Sequence, residues 1–106
     1  MTSFMTGSRV YGTPRPDSDV DVVVLVSLDD ATDLWAESQS ENSVRYGHLN
    51  LILCTDTEKG REKFKVWKEV TEYLKSQKPV TREKAVREFQ KRGIGVGEDV
   101  GSGPKN

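Results

Sequence analysis

The sequence predicts an α/β (α+β) domain in which a small mixed β-sheet carries helices packed mainly on one face. Three observations point to it. Residues 20–26 are β-branched almost throughout, residues 48–54 form a second apolar run, and two amphipathic helical patterns follow residue 57. At 106 residues the surface-to-volume ratio leaves a core too small to divide, so one domain is expected.

Taken in order, residues 2–6 place Phe4 and Met5 among hydroxylated residues with glycine directly after, which suits a short strand ending in a tight turn. Residues 11–18, YGTPRPDS, hold two prolines and a glycine and are expected as a loop. The run 20–26 is long enough and apolar enough to be a strand buried on both faces. Asp29, Asp30 and Asp33 then favour a helix N-terminus, and the stretch to residue 38 has Leu34 and Trp35 as its apolar anchors. After a polar run, residues 44–54 alternate and then become apolar, with Gly47 as either a break between two strands or a bulge. On that reading His48 and Asn50 share one strand face. Thr57 can cap a helix reaching Gln77, with Phe64, Trp67, Val70 and Leu74 along one stripe. Pro79 and Thr81 end it and start another, 82–92, with Val86 and Phe89 inward and Gly93 as its stop. From Gly95 the chain is too rich in glycine and polar residues to repay ordering. A domain over 1–94 and a flexible tail over 95–106 are expected.

Composition removes several function classes. Lys and Arg number 16 against 17 Asp and Glu, so no global positive field draws polyanions to the surface. A plain nucleic-acid-binding module, which interleaves basic and aromatic residues, is disfavoured. The single cysteine, Cys54, cannot form an intramolecular disulfide and reads as core packing; no charged-then-apolar leader opens the sequence, and a cytoplasmic location is expected. No apolar run approaches the roughly 20 residues of a membrane-spanning helix, so no membrane partner is expected.

The chemistry is concentrated in Gly7-Ser8, ten intervening residues, and Asp19-Val20-Asp21. Side chains two apart on a strand share a face, so Asp19 and Asp21 are expected to project together. Two ionised carboxylates held close repel each other, and a divalent cation relieves that repulsion, which makes both of them metal-ligand candidates. Such cations orient a triphosphate and stabilise charge on the attacking and leaving oxygens. Glycine at position 7 lets the backbone approach a phosphate, and the Ser8 hydroxyl with the amides of a following helix start can donate to it. Arg9 and Arg15 lie near the same anion in sequence. Ser18 precedes the carboxylates and, with Gly7, Ser8 and Arg9, completes the set of candidates for nucleotide binding.

The stretch GSRVYGTPRPDSDVDVVVLV resembles the signature of the polymerase beta nucleotidyltransferase superfamily, above all its minimal nucleotidyltransferases. These pair a Gly-Ser turn with an Asp-apolar-Asp strand at this spacing. The match covers residues 4–26, and the order of strands and helices through Leu74 agrees with it. The resemblance implies a mixed α/β palm that takes an NTP as substrate and Mg²⁺ in a site with room for two ions. It also implies transfer of a nucleoside monophosphate to a hydroxyl on a protein, a small molecule or a nucleic acid. Ser8 would contact the phosphates, and Asp19 and Asp21 would be the catalytic metal ligands. A helical partner protein or a homo-oligomer is implied as well, because the helix that commonly precedes the first strand is not in this sequence. Where the family pattern carries a third carboxylate on a neighbouring strand, this chain has Asn50. An amide binds Mg²⁺ more weakly than a carboxylate and cannot act as a general base. Two readings follow: an Mg²⁺-dependent nucleotidyltransferase, or a catalytically weakened module that binds nucleotide or a protein partner in an antitoxin-like or regulatory role. Asp56 offers a weaker substitute for the third carboxylate, and His48 a further ligand or base.

Overall fold

The structure, a computed structural model, describes residues 2–38 and 43–94. The expected tail at 95–106 lies outside them, as does part of the polar run before residue 43. The elements are β1 (Thr2–Thr6), α1 (Ser8–Tyr11), β2 (Val20–Val26), α2 (Leu28–Ser38), β3 (Ser43–Tyr46), β4 (Leu49–Thr55), α3 (Glu58–Ser76) and α4 (Arg82–Lys91). The strands form one sheet in the order β1-β2-β4-β3, with β2 and β4 parallel at its centre and β1 and β3 antiparallel at its edges. The mixed α/β architecture is the one the sequence predicts.

Strand alternation divides the apolar residues between two layers. On one face Val23, Ile52 and Cys54 meet Trp67, Val70 and Leu74 of α3 and Phe89 of α4, all buried. Phe64 packs edge-on against Phe4 at 5.1 Å between ring centroids, and Trp67 lies 4.4 Å from Phe89. Burying side chains of this size stabilises the fold by about 1.5–3 kcal/mol each. On the other face Val24, Val26, Val44 and Leu53 close over Ala31 of α2, with Leu34 and Trp35 beside them. Among the described residues, α1, α3 and α4 therefore serve one face and α2 the other.

Local chemistry sets the boundaries. Ser27 Oγ accepts from the Asp30 amide at 3.1 Å and begins α2; Thr57 Oγ1 accepts from the Gly60 amide at 3.1 Å and begins α3; Thr81 does the same for α4 through the Lys84 amide at 3.2 Å. Gly93, at φ +82°, ends α4. Two expectations are corrected. The 11–18 loop follows a turn of helix, α1, that takes in Tyr11. His48 does not lie on a strand beside Asn50, because Gly47 at φ +63° makes a two-residue hairpin turn with it and β4 starts at Leu49.

Candidate active site

The site begins where β1 stops. Gly7 has φ +83°, a conformation that a side chain disfavours. A Cβ on it would overlap Asp21 Oδ2 and lie 3.0 Å from the Asp21 Cγ. The absent side chain thus lets the start of α1 rest directly against the Asp21 carboxylate. The amides of Val10 and Tyr11 donate to the Gly7 carbonyl at 2.9 and 3.2 Å. The amides of Ser8 and Arg9 precede the first helical bond, as at any helix start.

The pairing register places one residue from each strand in a polar row, Thr6, Asp21, Asn50 and Arg45. Asp21 is 8% exposed, and its Oδ1 accepts from Asn50 Nδ2 at 3.2 Å. Burial pushes the Asp21 carboxyl up to about 6; the Asn50 hydrogen bond opposes the rise and the neighbouring Asp19 charge adds to it. Asp19 stands just before β2 and is more exposed. Its Oδ2 accepts from the Arg45 guanidinium at 2.6 Å, and its Oδ1 lies 3.6 Å from His48 Nδ1. His48 thus reaches Asp19 from the hairpin turn. At the far end of the row, Thr6 Oγ1 shares a hydrogen bond of 2.8 Å with Thr71 of α3 and bonds the Tyr11 hydroxyl. That phenol is pushed up to about 12, chiefly by burial.

A cleft of about 470 Å³ opens beside this row, with Gly7, Ser8, Thr13 and Asp21 on one wall and Val80, Arg82, Val86 and Phe89 on the other. Its size lies within the range of small-molecule sites. The Val80 amide donates to the Tyr11 carbonyl at 2.7 Å and so anchors the segment leading into α4 against α1, which fixes the two walls relative to each other.

The remaining candidates lie elsewhere. Arg9 donates from Nε and an Nη to the Ser18 carbonyl at 3.1 and 2.8 Å, and to the carbonyls of Pro16 and Arg15 at 3.2 and 3.4 Å. Ser18 Oγ accepts from the Arg15 amide at 2.7 Å. Arg9 and Ser18 therefore shape the loop that leads to Asp19, and neither lines the cleft. Arg15 is exposed on that loop. Asp56 cannot substitute for a third carboxylate, since it follows the opposite end of β4, about 20 Å along the strand from Asn50, and pairs with Arg61 at 2.8 Å. Residue-by-residue reading of the sequence missed Arg82, Tyr11, Thr6 and Arg45. For Arg82 a signal was present: a cation in the first turn of a helix runs against the helix dipole.

Among the described residues no group of three His, Cys, Asp or Glu side chains gathers as a metal cage. Asp19 and Asp21 by their chemistry would suit Mg²⁺, which commonly takes one or two protein carboxylates and completes its octahedron with water and substrate phosphates. The raised Asp21 carboxyl fits the same reading, because it marks a buried anion whose charge is incompletely compensated.

No curated relative and no solved structure gives a significant match to the chain. A family model described as the nucleotidyltransferase domain matches residues 2–93. That span takes in all four strands, the Gly7-Ser8 turn, both carboxylates and the cleft walls, and the chain belongs to the nucleotidyltransferase domain family.

Proposed function

We propose that this domain transfers a nucleoside monophosphate from an Mg²⁺-bound NTP to a hydroxyl acceptor, releasing pyrophosphate. The observation that carries the reading is the contact between the Gly7 backbone and the Asp21 carboxylate at the cleft wall. It sets a phosphate-accepting turn and a metal-ligating group side by side, with no side chain between them.

The roles follow from position. Ser8 and the first amides of α1 donate to the triphosphate oxygens. Asp19 and Asp21 would hold Mg²⁺, which would neutralise phosphate charge. Asn50 donates to Asp21 and holds its carboxylate in place, and an amide in that position cannot take a proton. The acceptor oxygen bonds to the α-phosphorus as the bond to the bridging oxygen breaks, pyrophosphate leaves with the electron pair, and the acceptor proton passes to water. The cleft lining carries one carboxylate, Asp21, and one guanidinium, Arg82, too little positive charge for a free triphosphate. That balance supports entry of the nucleotide as its magnesium complex.

The test is pyrophosphate release from each NTP with Mg²⁺ and hydroxyl-bearing acceptors, for the native chain and for Gly7→Ala, Asp19→Asn and Asp21→Asn. Turnover that stops with EDTA and falls at least 100-fold in each variant is the expected result. Full turnover in Asp21→Asn would refute the assignment. Nucleotide binding without turnover in the native chain would make the domain a binding module instead.

A further inference from the structure

Arg82 opens α4, and no other residue lining the cleft carries a positive charge. Among the described residues no hydrogen bond or ion pair engages its guanidinium. It adds nothing to its own helix, whose first turn favours anions; Glu83, the next residue, meets that preference. An exposed arginine without a partner, held at a cleft wall against the preference of its helix, is placed for a ligand that the protein itself does not supply.

We infer that Arg82 grips the polyphosphate of the incoming substrate from the α4 side, opposite Ser8. The ligand chemistry is set by the guanidinium, a planar fork of donors that matches phosphate oxygens two at a time. Val80, Val86 and Phe89 line the same cleft, so Arg82 is its one source of positive charge among the described residues. This inference rests on the reading of the cleft as a nucleoside triphosphate site. It adds a second wall to the phosphate seat, from a helix that the Gly-Ser turn and the carboxylates do not include.

The experiment titrates the full chain calorimetrically with inorganic tripolyphosphate in Mg²⁺, a probe that lacks base and sugar. Arg82→Gln should weaken binding about tenfold or more, as loss of a charge-assisted pair requires, and Arg82→Lys, which keeps the charge but loses the fork, should restore only part of it. Lys91→Gln removes the same charge from the far end of α4 and should bind within about twofold of the native chain, which separates a local grip from general attraction. Because Arg82 is exposed, the melting temperature of Arg82→Gln should stay near the native value. Native affinity in Arg82→Gln, or an equal loss in Lys91→Gln, would overturn the role of Arg82 and leave the triphosphate site standing. Failure of the native chain to bind tripolyphosphate would overturn both.

Discussion

Replacing Asp21 by asparagine should make the metal-free protein more stable while removing its activity. The Asp21 carboxyl sits at about 6 in the fold against an ordinary 3.8, so the folded state holds its proton more tightly than the unfolded chain does. A carboxylate raised in this way lowers stability as pH rises. Below about pH 3.8 both states are protonated and there is no penalty; between 3.8 and 6 the unfolded chain ionises first; above 7 the penalty is complete. At about 1.4 kcal/mol per pH unit the full effect is about 3 kcal/mol. Asparagine keeps the shape, and its side-chain carbonyl can still accept from Asn50 Nδ2, but it carries no charge to bury. In EDTA at pH 8, Asp21→Asn should therefore gain about 2–3 kcal/mol, on the order of 10 °C in Tm for a domain of this length. The gain should shrink to nothing near pH 4. Urea unfolding followed by tryptophan fluorescence across pH 4 to 8 measures it. A variant less stable than the native chain at pH 8, or a difference independent of pH, would refute the argument. Mg²⁺ should then stabilise the native chain and leave the variant unchanged, because linkage requires a site that binds.

Three further outcomes follow from the same geometry. Arg45→Gln removes the cation that pairs with Asp19; since both partners are substantially exposed, stability should move by less than about 1 kcal/mol. Calorimetric titration should show its Mg²⁺ affinity rising several-fold, and a fall in affinity would contradict the picture of Arg45 as a competitor for that carboxylate. Asn50→Asp puts a third carboxylate beside Asp21 and deletes a hydrogen bond to it, so the metal-free protein should lose more than about 1 kcal/mol at pH 8. Its Mg²⁺ affinity and pyrophosphate release should both increase, by about tenfold for affinity. Gly60→Ala, in the first turn of α3, should run against helix propensity: a Cβ there would overlap the Thr55 carbonyl oxygen and lie 2.7 Å from its carbon. Where alanine would usually stabilise a helix by about 1 kcal/mol, denaturant unfolding should show a loss of about 2 kcal/mol or more.

Much of the fold was legible because its signals are local. The valine run of β2 could only be a strand covered on both sides, Thr57 and Thr81 announced their helices through their hydroxyls, and the spacing of Trp67, Val70 and Leu74 fixed the inward stripe of α3. One part of the candidate site was legible for the same reason, since Gly7 and the two aspartates lie within one short stretch whose chemistry depends on near neighbours. His48 was misplaced because an apolar run does not show which residue a hairpin turn takes. Arg9 and Ser18 lie in the expected stretch, yet their bonds hold the loop rather than line the cleft; sequence distance to an anion says nothing about where a guanidinium points.

The sequence by itself carried most of the element types, and it singled out the Gly-Ser turn, the two aspartates and Asn50 as candidate site residues. These depend on residue chemistry and on periodicities of two and 3.6. The tertiary structure alone decided that Thr6, Asp21, Asn50 and Arg45 form one row, that Arg45 already occupies Asp19, and that α4 brings Arg82 to the opposite wall of the cleft. Each of those contacts joins segments far apart in the chain, and the pairing register and helix docking that bring them together arise from packing the whole core at once.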